Sequence, residues 1–148
     1  MAETRRAEAT WEGDLLSGQG VVTASTTQLF TALPVSWASR TAAPSGRTSP
    51  EELLAAAHAS CFSMEFALEL AQAGMPPQRL DVSATVTFDR AEDGWKVTRS
   101  ALAVRGRVPG ANAEKFREIA QSARDNCPIS QALKGNVDLT IEATLESR

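Results

Sequence analysis

Residues 49–73 constrain this chain more than any other stretch. Ser49 can cap a helix, Pro50 suits the first helical position, and Glu52 follows Ser49 at the spacing of a capping box. Leu54, Ala57, Cys61, Met64 and Leu68 then recur at steps of three and four, the period of one helix face. Gly74 and Pro76-Pro77 stop the run. The spacing predicts a helix of about six to seven turns at roughly 3.6 residues per turn. Its opposite side carries Ser60, Ser63 and alanines with few charges, so both sides call for cover. Such a helix is expected at the centre of the fold, buried partly against a second subunit.

Around it the chain reads as strands and turns. Residues 9–12 and 21–24 form a hairpin through Gly13-Asp14 and Gly18-Gln19-Gly20. Residues 31–49, with Pro34, Arg40, Pro44, Gly46 and Arg47, read as a long loop of the kind that often carries function. Strands at 80–88 and 95–108 flank Asp93-Gly94, a hairpin signal. The first alternates cleanly (Leu80, Val82, Ala84, Val86, Phe88), and the second less so (Val97, Ala101, Ala103). A second helix over 112–125 places Phe116, Ile119, Ala120 and Ala123 on one stripe. It ends near Asn126-Cys127-Pro128, because proline disfavours helical geometry just before it. A helical turn over 130–134 leads to a last strand over 137–145, with Val137, Leu139, Ile141, Ala143 and Leu145 facing one way. The order is that of an α+β domain with antiparallel pairing and helices packed on the sheet. At 148 residues one domain, 1–148, is expected.

Charge and hydropathy exclude some functions. The net charge is −3, from 15 basic and 18 acidic residues with no block of either sign, which speaks against nucleic-acid binding. No apolar stretch approaches the roughly 18 to 20 residues that span a bilayer. The start, MAETRRAEATWEGD, has two arginines with no apolar region behind them and so lacks a signal peptide. A cytoplasmic protein is expected, where thiols stay reduced and a permanent structural bridge between Cys61 and Cys127 is disfavoured. The two cysteines are therefore packing residues or working thiols.

Cys61 falls in the middle of the long helix, where the helix dipole has faded. A reactive Cys61 needs a cation to lower a thiol pKa of roughly 8.5; otherwise it is a small buried hydrophobe on the Leu54/Met64 face. Cys127, fixed by Pro128 and placed near the surface of the helix packing, suits a resolving thiol or a semi-buried packing residue. Two such thiols fit a cycle in which one forms a sulfenic acid and the other condenses with it. His58, the only histidine, precedes Cys61 by three residues. A thiol–imidazole pair and a zinc site are open to it, but zinc wants more ligands at recognisable spacing. A helix histidine with one hydrogen bond is the favoured reading. Glu51 at the helix start is ordinary dipole chemistry. Arg40 is a surface charge unless its loop folds back over the helix.

The run SPEELLAAAHASCFSM at 49–64 resembles the first cysteine motif of the OsmC/Ohr family, and NCPISQAL at 126–133 resembles its second. ATWEGDLLSGQGVVTAST at 9–26, and His58 within AAHA, are similar to the OsmC branch; the loop around SWASRT departs from the family's wording. The resemblance covers nearly the whole chain. It implies an OsmC-like fold, antiparallel sheets wrapped around long central helices in an intertwined homodimer. It also implies a cysteine-based peroxidase that reduces organic hydroperoxides, and hydrogen peroxide as well, without metal, haem or flavin. By the same resemblance Cys61 matches the peroxidatic cysteine, Cys127 the resolving one, Arg40 the arginine that supports the thiolate and Glu51 the carboxylate that orients it. The implied partners are the hydroperoxide and an external dithiol or lipoyl-type reductant. A non-catalytic, stress-related dimer that binds a small apolar ligand, and a peroxide sensor, are the competing readings.

Overall fold

The computed structural model describes residues 1–147. They divide into two units, Met1–Leu53 and Leu54–Arg148, with the boundary inside the long helix.

In the first unit, strands β1 (Glu8–Glu12) and β2 (Gln19–Thr23) form the expected antiparallel hairpin. Its turn is tied by Asp14, whose carboxylate accepts from the amides of Leu16 and Ser17 at 2.9 Å each. The stretch expected to be a loop is partly ordered. It holds a third strand, β3 (Leu33–Val35), antiparallel to β2, and a short helix, α1 (Trp37–Thr41). A capping box starts that helix: the Ser36 hydroxyl accepts from the Ser39 amide and the Ser39 hydroxyl accepts from the Ser36 amide. Three strand residues and five helical ones are too few to show a period.

Helix α2 runs over Pro50–Gln72. Ser49 caps it as expected, its hydroxyl accepting from the Glu52 amide at 3.1 Å. The capping box is not reciprocal, because the Glu52 carboxylate accepts from the Thr48 hydroxyl instead, at 2.6 Å. The far end is a Schellman turn: Gly74 takes φ 79°, its amide donates to Ala71 and the Met75 amide donates to Leu70.

The buried stripe of α2 in the second unit differs from the expected one. His58, Phe62, Phe66 and Leu70 are fully buried, whereas Met64 is 67% exposed and Leu68 51% exposed. Both stripes have helical spacing, and in a helix apolar nearly all round the period cannot say which one faces the core. Contrary to the expectation from unbroken apolar runs, α2 is long and apolar enough, by length and composition, to cross a membrane. Core helices share that composition, and Phe62, Phe66 and Leu70 pack into this unit's core.

Strands β4 (Arg79–Ala91) and β5 (Gly94–Arg107) form the second hairpin. A bulge shifts the register between Thr87 and Phe88: Phe88 pairs with Val97 but Thr87 pairs with Arg99. The extra residue flips the phase of β5, so Ser100, Leu102 and Val104 are buried, where Ala101 and Ala103 were expected to continue the Val97 face. Helix α3 (Ala113–Asn126) starts at Asn112, whose side chain accepts from the Lys115 amide at 2.8 Å. It buries Phe116, Ile119, Ala120 and Ala123, the stripe read from its period. Helix α4 (Pro128–Leu133) follows, and then β6 (Asp138–Leu145).

Within the α+β class, β6 joins β5 in parallel, so this sheet is mixed. The intervening helices make the crossover that a parallel neighbour requires. Phe66 stands 5.5 Å from Phe62 and 5.0 Å from Phe116, ring centre to ring centre. Each such buried ring contributes roughly 1.5–3 kcal/mol. Gly106 of β5 makes room for this cluster, since a Cβ there would lie 2.6 Å from the Phe116 ring.

Candidate active site

The expected site residues form two pairs, one in each unit. In the first unit Arg40 occupies the last turn of α1 and Glu51 the first turn of α2. The Arg40 guanidinium donates through Nη2 to Glu51 Oε1 at 2.6 Å and through Nε to both carboxylate oxygens at 3.2 Å. Two nitrogens on one carboxylate fix the plane and direction of the guanidinium, which a lysine could not do. The same cation lies 5.6 Å above the centre of the Trp37 ring. Glu51 is buried and the Arg40 side chain is 29% exposed. A carboxylate placed at a helix start only for the dipole would stay in solvent; this one is committed to an arginine.

In the second unit Cys61 and Cys127 are free thiols, and Cys61 packs against the buried cluster that holds Cys127, within reach of its thiol. Cys61 is partly exposed, so a small molecule can reach it, and Cys127 is fully buried, deeper than the near-surface place expected for it. Cys127 closes α3 and opens α4, with φ −54° and ψ 125° as the following proline demands. Its amide donates to Ala123 at 2.9 Å and its carbonyl accepts from Gln131 at 3.0 Å, so the backbone that carries this sulfur is held at both ends.

Burial, first, pushes the Cys61 thiol above its ordinary pKa, and the interaction with the Cys127 side chain, which favours the protonated form, adds to it. The Ile129 amide at the start of α4 works the other way by donating to the Cys61 sulfur. Repulsion from Cys127 and from the Glu65 carboxylate, one turn further along α2, raises the thiol again. The groups of this unit thus keep Cys61 protonated, and the need for a cation inferred from its mid-helix position is sharpened.

His58 has both ring nitrogens engaged, Nδ1 with the Ser100 hydroxyl at 2.7 Å and Nε2 with the Ser130 hydroxyl at 2.8 Å. One hydrogen bond was expected and there are two, leaving no ring nitrogen for a pair with Cys61 or for a metal. Burial lowers its pKa, so the ring is neutral at neutral pH.

The family model of OsmC-like proteins matches residues 43–142, which include Glu51, Cys61 and Cys127. The chain belongs to the OsmC-like family. Among OsmC-like relatives, it is 39% identical to peroxiredoxin OsmC of Escherichia coli over 135 residues, 91% of this chain and 93% of that one. It is 34% identical to the organic hydroperoxide resistance protein OhrA of Bacillus subtilis over 97 residues, 64% of this chain and 66% of that one. The crystal structure of the organic hydroperoxide resistance protein OhrB of Bacillus subtilis superposes with a TM-score of 0.74 at 25% identity, covering 94% of this chain and 98% of that one.

In this OsmC-like chain four contributors escaped the sequence reading. The Ile129 amide acts through its backbone, which residue type does not announce. Glu65 lies four residues after Cys61 on α2 and was legible from helical spacing alone. Ser100 and Ser130 reach His58 across long separations that one sequence cannot reveal.

Proposed function

We propose that this chain is a cysteine-dependent hydroperoxide reductase in which Cys61 attacks and Cys127 resolves. The observation that carries the proposal is the meeting of an accessible thiol, Cys61, with a buried one, Cys127, far apart in the chain: Cys61 packs against the buried cluster that holds Cys127, close enough for the two thiols to act on each other. Cysteines that only pack have no need of each other. The names of the OsmC and Ohr relatives, a peroxiredoxin and hydroperoxide resistance proteins, support peroxide reduction as the chemistry.

In the proposed cycle the Cys61 thiolate attacks the outer oxygen of ROOH. The O–O bond breaks, the leaving alkoxide takes up a proton and departs as alcohol, or as water from hydrogen peroxide, and Cys61 becomes a sulfenic acid. The Cys127 sulfur then attacks the Cys61 sulfur. An S–S bond forms, the S–O bond breaks, and the hydroxyl leaves as water with the Cys127 proton. An external dithiol or lipoyl-type reductant restores both thiols by exchange.

The first step needs the thiolate, which the second unit disfavours. An opposite charge within about 4–6 Å lowers a pKa by roughly 1–3 units. Arg40, already oriented by Glu51, is the cation we assign to that task. Assembly as a homodimer is supported by exposed apolar side chains in both units, Met64 and Leu68 on α2 and Trp11, Leu16 and Leu29 in the first unit. A compartment that keeps thiols reduced, as in the cytoplasm, suits a cycle that starts from a dithiol.

The purified protein, supplied with a dithiol, should consume cumene or tert-butyl hydroperoxide, and Cys61→Ser should reduce the rate to the uncatalysed background. Normal turnover by Cys61→Ser would overturn the proposal.

A further inference from the structure

His58 has no step in the proposed cycle, yet it is fully buried on a face otherwise filled by Phe62, Phe66 and Leu70. Three elements meet on its ring: α2 carries it, Ser100 of β5 binds Nδ1 at 2.7 Å and Ser130 of α4 binds Nε2 at 2.8 Å. A neutral imidazole has one N–H and one lone pair, so one serine donates to the ring and the other accepts from it. Ser100 and Ser130 are themselves 0% and 1% exposed, so no bulk water competes for either bond. An apolar side chain would have filled the same space without the desolvation of three polar groups. What the polar bridge supplies in addition is direction, because a hydrogen bond restricts distance and angle where apolar contact tolerates sliding.

Helix α4 is the element that needs such direction. It is six residues long and has no side-chain cap, with Pro128 at its first position. Three neighbouring positions on it are engaged with α2. Cys127, its N-cap residue, and Ile129 lie close enough to Cys61 to act on its thiol, and Ser130 binds His58. On α2, His58 and Cys61 are separated by nearly one turn, so the imidazole bridge and the sulfur contacts are successive rungs between the same two helices. Disulfide closure requires the sulfurs to approach to about 2.05 Å at a dihedral of roughly 90°, a geometry that depends on where the start of α4 lies.

We infer that His58 is a positioning residue: through Ser130 it holds α4 so that Cys127 is aimed at the Cys61 sulfur. It thereby sets how often a Cys61 sulfenic acid closes to the disulfide rather than being lost to another nucleophile or to further oxidation. The inference rests on the proposed Cys61–Cys127 cycle. The step it concerns is the condensation already balanced above, in which Cys127 is oxidised, the Cys61 sulfur is reduced from sulfenic acid to disulfide, and water leaves. His58 neither gives nor takes a proton in it.

The test is a partition. The reduced full chain is treated with one equivalent of cumene hydroperoxide in the presence of dimedone, which traps sulfenic acid, and the ratio of 61–127 disulfide to dimedone adduct is read by mass spectrometry. This ratio does not depend on how fast Cys61 is first oxidised. Ser130→Ala should lower it about tenfold, a modest share of the roughly 100-fold that about 1 Å of misplacement can cost. Ser130→Thr, which keeps the hydroxyl, should recover most of it. Ser100→Ala removes an equally buried bond from the same ring but leaves the rung to α4, and should change the ratio by less than about threefold. A wild-type ratio in Ser130→Ala would overturn the inference. So would a Ser100→Ala effect as large as that of Ser130→Ala, because the bridge would then be general packing. Failure of the wild-type chain to form any 61–127 disulfide would instead remove the cycle itself.

Discussion

Arg40 and Glu51 face each other as ions across contacts of 2.6 to 3.2 Å, whereas Cys61 and Cys127 face each other as free thiols in surroundings that penalise charge. The first pair sits at the junction of two helix ends, partly open on the arginine side, and forms an ion pair there. The second pair is carried by α2 and the junction of α3 and α4, and there burial, a second sulfur and a nearby carboxylate all act on Cys61 in the same direction, with only the Ile129 amide opposed. One unit holds an oriented positive charge, and the other holds, as a protonated thiol, the group proposed to be the nucleophile. In the proposed cycle the thiol stays protonated, and hence protected from adventitious oxidation, until a cation and a peroxide stabilise the thiolate together.

The comparison breaks most severely if the thiol pair is split. Cys127→Ser should leave Cys61 without a resolving partner, so sustained turnover with a dithiol should collapse and sulfinic acid should accumulate on Cys61, visible as a mass increase of the Cys61 peptide. A smaller effect is expected at the charge pair. Arg40→Lys keeps the cation but loses the planar fork on Glu51, and peroxidase kcat/KM should fall about tenfold or more. Glu51→Gln should act in the same direction, and unchanged rates in both variants would make the pair purely structural.

The second unit should also show its intolerance of charge as a pH effect. The buried His58 has a folded pKa below its ordinary 6.5, so the unfolded chain binds its proton first. The contribution is therefore complete above pH 6.5 and declines as the pH falls from 6.5 towards the folded value. The decline is at most about 1.4 kcal/mol per pH unit, and a urea midpoint that drops between pH 7.5 and pH 5.5 would register it. The smallest expected change is at Glu65. Glu65→Gln removes one of the weaker causes that raise the Cys61 thiol, so alkylation of Cys61 by iodoacetamide at neutral pH should speed up by about twofold.

What could be read in the residues followed from how local each signal is. The Ser49 cap, the Gly74 stop, the Asp93-Gly94 turn and the break at Pro128 each act within a few residues of themselves, and each lies where the sequence implied. The α3 stripe was equally legible because its other face is charged. The same argument went astray on α2, where Met64 and Leu68 are apolar yet exposed and His58 is polar yet buried. There the choice of face depends on partners elsewhere in the chain. The phase of β5 was hidden by one bulged residue, and the direction of β6 is not encoded in its alternation at all.

At the site, the grip of Glu51 on Arg40 was implied by resemblance alone, since nothing local distinguishes Arg40 from a solvated charge. The short helix that presents Arg40 left only a faint signal, the pair of serines at 36 and 39. The contact between Cys61 and Cys127 likewise required the motifs, because long-range contacts leave no period to count.

The account stands or falls on the two sulfurs acting as one reversible pair. The most direct measurement is the mass of the reduced chain after one equivalent of cumene hydroperoxide, followed by peptide mapping without reductant. Loss of two hydrogens, with the Cys61 and Cys127 peptides recovered as one cross-linked species that a dithiol separates, is the predicted result. Two unmodified thiols, or an oxidised Cys61 with Cys127 still free, would contradict it.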